Sequence, residues 1–294
     1  MKKLIVALAS LAAFTGSAFA ADMAVKAPAP APVVAGYNWT GCYIGGGFGY
    51  GVASNDHDQV VVGTPQTGAV FPVGTLSAAS ESAGGKGWLG TVGGGCDYQF
   101  SPTIFGGNIV VGAFADYTWS NIRGETDTNA QFFNDGSAEV GVGTLKNSSS
   151  WAAGARIGYV IPSLPQLLTY VNAGYSEAKF DAVGFNNKLA PFIGTPQALA
   201  LPSHTYTGWF VGGGTEYGFN WLPGLFLRTE YRYYTYDTAT IGTVCTGASA
   251  AGPVPSCVTA GPSGFADRYT PHVQSLLTEV VYRFNWTGAG VSRY

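Results

Sequence analysis

The sequence predicts an all-β protein: an eight-stranded antiparallel up-and-down transmembrane β-barrel with four long external loops. Three observations carry that prediction. Stretches of about 10–13 residues, the length of a tilted membrane-spanning strand, alternate apolar and polar side chains with period two. The connectors between them alternate strictly between short and long, as outer-membrane barrels do. The chain opens with an export signal.

The clearest strand is GLFLRTEYRYYTYD, residues 224–237. Leu225, Leu227, Thr229, Tyr231 and Tyr233 form one face; Phe226, Arg228, Glu230, Arg232 and Tyr234 form the other. Successive side chains of a strand point to opposite faces, so one face is apolar and the other ion-paired. In a membrane barrel the apolar face meets lipid and the charged face the lumen. A soluble ligand-binding barrel would need the inverse arrangement, with charges outward.

Seven more segments read the same way. They are 41–51, with Tyr43 opposite to Ile44, Phe48 and Tyr50; 88–100, with Thr91, Asp97 and Gln99 opposite to Trp88, Val92, Cys96 and Tyr98; and 108–120, with Phe114, Asp116 and Thr118 opposite to Val111, Tyr117 and Trp119. The next are 150–161 around Arg156, about 167–180 around Asn172, and 205–220 around Phe210 and Glu216. The last is about 273–286, with Ser275, Glu279 and Arg283 opposite to Leu276, Val280, Tyr282 and Phe284. Long connectors are expected at 52–87, 121–149, 181–204 and 238–272, and short ones near 101–107, 162–166 and 221–223. Aromatics on the lipid face gather near strand ends, as two interfacial girdles require. Glycines fall mostly on the inward face, where a narrow interior leaves little room.

Composition supports a greasy outer wall. Charged residues are 11% of 294, against roughly 25% in an ordinary soluble domain. Gly numbers 43, about twice its usual share. A net charge of −3 and no Lys/Arg run argue against a nucleic-acid partner. Residues 1–20 read as a signal peptide, with Lys2 and Lys3, an apolar stretch, and Ala18-Phe19-Ala20 before the cut. Residues 21–38 form a Pro/Ala-rich periplasmic linker, 39–286 the outer-membrane barrel and 287–294 a C-terminal tail. No later run of about 18 apolar residues offers a transmembrane helix.

WTGCYIGGGFGYG, the endings GCDYQF and GTEYGF, and the ARIGYV, EYRYY and VVYRF segments together resemble a known family. They are similar to the small OmpA-like barrels of α-proteobacterial outer membranes, the rhizobial surface-antigen type, over roughly Trp39 to Trp286. The resemblance implies an eight-stranded barrel in a Gram-negative outer membrane, with no cofactor and no catalysis. It also implies that the barrel-insertion machinery reads a terminal aromatic, for which Phe284, Trp286 and Tyr294 compete. Outer-membrane lipid and lipopolysaccharide are the other expected partners.

By parity, Asp97, Asp116, Arg156, Glu216, Arg228, Glu230, Arg232, Glu279 and Arg283 all face the lumen. Unpaired charges in a confined interior are costly, so these should form a paired network. Such a network either plugs the barrel or lines a pore. Eight strands leave no aqueous channel, which favours the plug. The four cysteines allow three connectivities; Cys42–Cys96 and Cys245–Cys257 are the pairing expected. No His stands near either pair, so a metal site is not expected. His57, His204 and His272 fall in or beside external loops, and no Ser/His/acid spacing suggests catalysis. The expected role is structural and surface-displaying, with a narrow porin or a loop-mediated adhesin as alternatives.

Overall fold

The computed structural model describes residues 37–65, 71–77, 81–104, 106–132, 138–188, 193–247, 257 and 259–284. The predicted signal peptide, nearly all of the linker, and the tail lie outside these residues. Every strand pairing is antiparallel. The strands are β1 (Gly41–Val61), β2 (Glu81–Ile104), β3 (Gly107–Phe132), β4 (Ala138–Val160), β5 (Leu167–Phe180), β6 (Val183–Asn187), β7 (Pro196–Leu201), β8 (His204–Gly218), β9 (Leu225–Tyr236), β10 (Ala239–Cys245) and β11 (Gly261–Phe284).

Eight of these form a closed ring in the order β1-β2-β3-β4-β5-β8-β9-β11. The ring shuts where β1 pairs β11, from Cys42↔Phe284 to Val61↔Phe265. Closure removes the unpaired edges that an open sheet would expose. At one end the connections are short: β2–β3, β4–β5 and β8–β9. Gly106 and Gly224 take positive φ there, 82° and 87°, a conformation open to Gly at no steric cost.

At the other end the strands run further than expected. Strand extends into all four connectors predicted at 52–87, 121–149, 181–204 and 238–272 and fills most of 121–149. β1 and β11 stay paired out to Val61 and Phe265, and β3 and β4 out to Phe132 and Ala138. β6, β7 and β10 pair in series between β4 and β11. The reason is physical. A ladder needs backbone partners, whereas the hydropathy alternation used to place strands needs two different solvents. In β1 beyond the apolar band both faces are polar, as in Ser54-Asn55-Asp56-His57-Asp58-Gln59, and that signal vanishes while pairing continues.

Side-chain orientation follows parity. In β9, Phe226, Arg228, Glu230, Arg232, Tyr234 and Tyr236 are buried, while Leu227, Thr229 and Tyr231 are exposed. Exposed aromatics form two belts. Tyr50, Trp88, Trp119, Trp151, Tyr175 and Trp209 lie toward the long-connector end; Tyr98, Phe100, Tyr217, Tyr282 and Phe284 lie toward the short-turn end. Val92, Val171, Val211 and Val280 hold the exposed band between them.

The disulfides join Cys42 to Cys96 and Cys245 to Cys257. Cys42 and Cys96 stand directly opposite one another in the β1–β2 register. Cys245 ends β10, and its bridge packs with Ala198 and Leu199 of β7. His57 departs from its expected loop: it sits in β1, faces inward, and stacks on Tyr269 with ring centroids 5.1 Å apart. His204 opens β8, and His272 lies within β11 beside Tyr233.

Candidate functional site

The interior of the ring is built in layers. Trp39 lies at the short-turn mouth, with no exposed surface. Its indole N–H donates to the Pro165 carbonyl at 3.2 Å, and its backbone N–H donates to Gln99 Oε1 at 2.8 Å. Tyr37, which composition assigns to the linker, packs edge-on against Phe226 at 6.0 Å.

Above Trp39 lies an ionic layer. Alternation along β2, β4, β8, β9 and β11 aims Asp97, Arg156, Glu216, Arg228, Glu279 and Arg283 into one space. Arg156 grips Asp97 through two N–H donors, at 2.9 and 2.5 Å, and reaches Glu216 at 3.3 Å. Arg283 donates to Asp97 at 2.7 Å and to Glu216 at 2.6 Å. Arg228 donates to Glu216 at 2.9 Å and to Glu279 at 3.3 Å. Glu216, itself fully buried, therefore accepts from three guanidiniums.

Tyr43 is the hub of this layer. The guanidiniums of Arg156, Arg228 and Arg283 lie 4.6, 4.5 and 4.9 Å from its ring centroid. A ring face attracts cations, and more strongly where water is excluded. Gly95 makes room for this ring: a Cβ there would come within 2.7 Å of the Tyr43 hydroxyl.

A second ionic group holds Asp116, Glu230 and Arg232. Arg232 donates to Asp116 at 2.7 Å and also pairs with Glu230. Tyr170 donates its hydroxyl to Glu230 at 2.5 Å. The Arg232 guanidinium lies over the neighbouring rings of Phe114 and Phe210, at 4.8 and 4.9 Å from their centroids. All nine charged residues that parity points inward thus lie in these two groups, four arginines with five carboxylates. Several pairs differ from a simple neighbouring-strand expectation. Arg283 of β11 reaches past β1 to Asp97 of β2, and Arg232 of β9 reaches across the ring to Asp116 of β3, because an eight-stranded interior is narrower than two extended side chains.

Parity also placed Tyr43 inward, but sequence reasoning assigned it no part in the network, and it missed Tyr170 and Trp39 altogether. An aromatic at inward parity beside inward arginines was the available signal. Above Arg232 the interior continues with Tyr234, Tyr236, Leu89, Ile122, Val273 and Leu277 around a cavity of about 20 Å³. That is room for about one water.

Beyond the apolar band the interior is mixed, with Val61, Phe185, Leu201 and Phe265 buried beside polar groups. Gln59 donates to Asp267 at 3.2 Å, and Tyr269 bonds Thr126 at 3.1 Å. Burial lifts the Asp267 carboxyl from its ordinary 3.8 to about 7, against the opposing effect of the Gln59 hydrogen bond. On the outer surface Asp58 accepts from Arg268 at 2.8 Å, which holds its carboxyl below the usual range. Among the described residues no group of three or more His, Cys, Asp or Glu is arranged to hold a metal ion.

A closed antiparallel ring with an apolar outside and an ionic inside defines an integral membrane β-barrel. The sequence profile of the outer membrane protein beta-barrel domain matches residues 6–284, and the chain belongs to that family, whose place is the Gram-negative outer membrane. No curated protein matches the chain by sequence. Among solved structures it is similar to Ail, the attachment invasion locus protein of Yersinia pestis, in complex with the heparin analogue sucrose octasulfate. That match has 12% identity, covers 81% of this chain and 99% of that one, and has a TM-score of 0.28. It is similar to the outer membrane protein AlkL in lipid bilayers, with 17% identity, 91% and 99% coverage and a TM-score of 0.33. It is also similar to the outer membrane protease OmpT from Escherichia coli, with 8% identity, 82% and 97% coverage and a TM-score of 0.39.

Proposed function

We propose that this protein is a non-conducting envelope barrel that anchors and displays its long-connector end at the cell surface. In this reading the short turns face the periplasm, as in outer-membrane barrels generally. Residues 1–20 are removed on export, and the barrel is of the rhizobial surface-antigen type, without cofactor or catalysis. The observation that carries the reading is the interior. Four arginines and five carboxylates are interlocked with Tyr43, Phe114 and Phe210, and the void above them holds about one water. A solute path would require several of these ion pairs to open together, and breaking each buried pair costs about 3–5 kcal/mol.

The strand-stiffened connectors support the display role. Loops positioned by a rigid scaffold are where such a fold carries binding, and here Cys245–Cys257 ties one of them to its neighbours. Purified protein in planar bilayers should give no stepwise current. Reproducible unitary steps from the native chain would replace the plug with a narrow porin.

A further inference from the structure

Four cations line one wall of the barrel just above the aromatic belt at the long-connector end. Lys86 of β2 stands directly opposite Arg123 of β3, and Arg123 directly opposite Lys146 of β4. Lys179 of β5, opposite Ser149, continues the row. All four have outward parity. Lys86, Arg123 and Lys179 are exposed, and Lys146 half-buried.

Like charges directly opposed across strands destabilise a sheet. The carboxylates nearby neutralise the row only in part. Asp181 pairs with Lys146 at 3.1 Å. Glu177 is held by the Trp151 indole N–H and the Tyr175 hydroxyl, at 3.1 and 2.8 Å. Glu125 lies two residues beyond Arg123, opposite Thr144. Among the described residues Lys86, Arg123 and Lys179 make no ion pair.

The height of the row gives it meaning. The cations stand two to five residues beyond Trp88, Trp119, Trp151 and Tyr175 on their own strands. At about 3.3 Å per residue and a tilt of about 40°, this is roughly 5–13 Å above the belt, at the level of lipid headgroups. The opposite wall is different: at comparable positions β8 and β1 expose Thr205, Thr207, Ser54 and Asp56, Asp237 stands exposed just past the end of β9, and β11 presents Thr270 and His272 half-buried. A general solubility surface would not sort charge by wall in this way.

We infer that Lys86, Arg123, Lys146 and Lys179 form a binding strip for the phosphates of a phosphorylated glycolipid in the outer leaflet, with its acyl chains lying on the aromatic and apolar band below. The inference rests on the proposed orientation, long connectors outward, and deepens it by assigning the lipid class and the wall that binds it. Lys and Arg supply donors suited to phosphate oxygens, and bound phosphates remove the repulsion within the row.

The test uses the full chain folded in detergent, with lipid binding followed by native mass spectrometry. The probes are bisphosphorylated lipid A and the same lipid with its phosphates removed. Wild type should prefer the phosphorylated lipid. Lys86→Gln/Arg123→Gln/Lys179→Gln, which spares the Lys146–Asp181 pair, should lose roughly 100-fold, at about fivefold per surface cation. Lys188→Gln/Arg268→Gln, which removes two cations elsewhere, should bind as wild type does. Retention of heat-modifiable gel migration establishes that each variant is folded.

Equal binding of the two lipids, or wild-type affinity in the triple variant, overturns the inference. So does full displacement of the lipid by millimolar inorganic phosphate, which would mark a free-anion site. Protease cleavage within the long connectors on intact cells reports the orientation separately. A strip that fails while the connectors are cleaved from outside sinks the lipid site alone.

Discussion

At the residue scale, Glu216 shows how this interior is held. It accepts from Arg156, Arg228 and Arg283, which come from three different strands. Glu216→Gln removes the charge that all three share and leaves buried guanidiniums short of a partner. The expected cost is about 3–5 kcal/mol, seen as a lower urea midpoint at unchanged slope. A loss below about 1 kcal/mol would place the network's strength elsewhere, in the aromatic contacts of Tyr43. Asp267 offers a second residue-level expectation. Its carboxyl titrates near 7 when folded, against an ordinary 3.8, so the folded state holds that proton more tightly. This contribution to stability is complete below about pH 4 and is lost as pH rises through about 7. Proteolysis of the outer extension should therefore quicken between about pH 4 and 7 and level off above, and Asp267→Asn should flatten that dependence. An unchanged profile in the variant would assign the pH response to another group.

At the element scale, β8 places two solvents on adjacent residues. Val211 lies outward and exposed, whereas Gly212 faces Arg232 and Asn172. Val211→Arg should cost about 2–4 kcal/mol, the expense of a cation at the lipid midplane. Gly212→Arg should fail for a different reason: even a Cβ there would lie 2.5 Å from the Tyr231 carbonyl and 2.7 Å from Asn172 Oδ1. The two are separable by environment. In a short-chain detergent that tolerates a surface cation, Val211→Arg should recover and Gly212→Arg should not. Recovery of Gly212→Arg without recovery of Val211→Arg would reverse the face assignment. β1 teaches a related lesson about legibility. Its first half was readable from Ile44, Phe48 and Tyr50, because lipid on one side and a packed interior on the other impose alternation. Its second half, Val52 to Val61, was not, because Ser54 and Asn55 are equally polar although only Asn55 is buried.

At the scale of the whole molecule, ring closure makes the barrel an integral membrane protein rather than a peripheral one. Every membrane-level strand has two neighbours, so the apolar band can sit in hydrocarbon without exposing backbone donors. The native protein should pellet with outer membranes, resist carbonate extraction, and run faster on gels before heating than after. Release by carbonate without detergent would contradict a membrane-embedded barrel and favour a soluble one.

The sequence alone indicated which side of each membrane-level strand faces lipid and which nine charges point inward, both matters of parity set by the two-residue period of the β backbone; of three cysteine connectivities it favoured Cys42–Cys96 with Cys245–Cys257, the pairing in the structure. Only the tertiary structure decided which arginine meets which carboxylate, that Tyr43 gathers three guanidiniums, and that His57 and Asp267 are buried above the membrane. Those outcomes depend on the width of the closed ring and on its shear, which bring Asp97 to Arg283 across 186 positions of chain. No local pattern encodes such a distance, because closure is a property of all eight strands together.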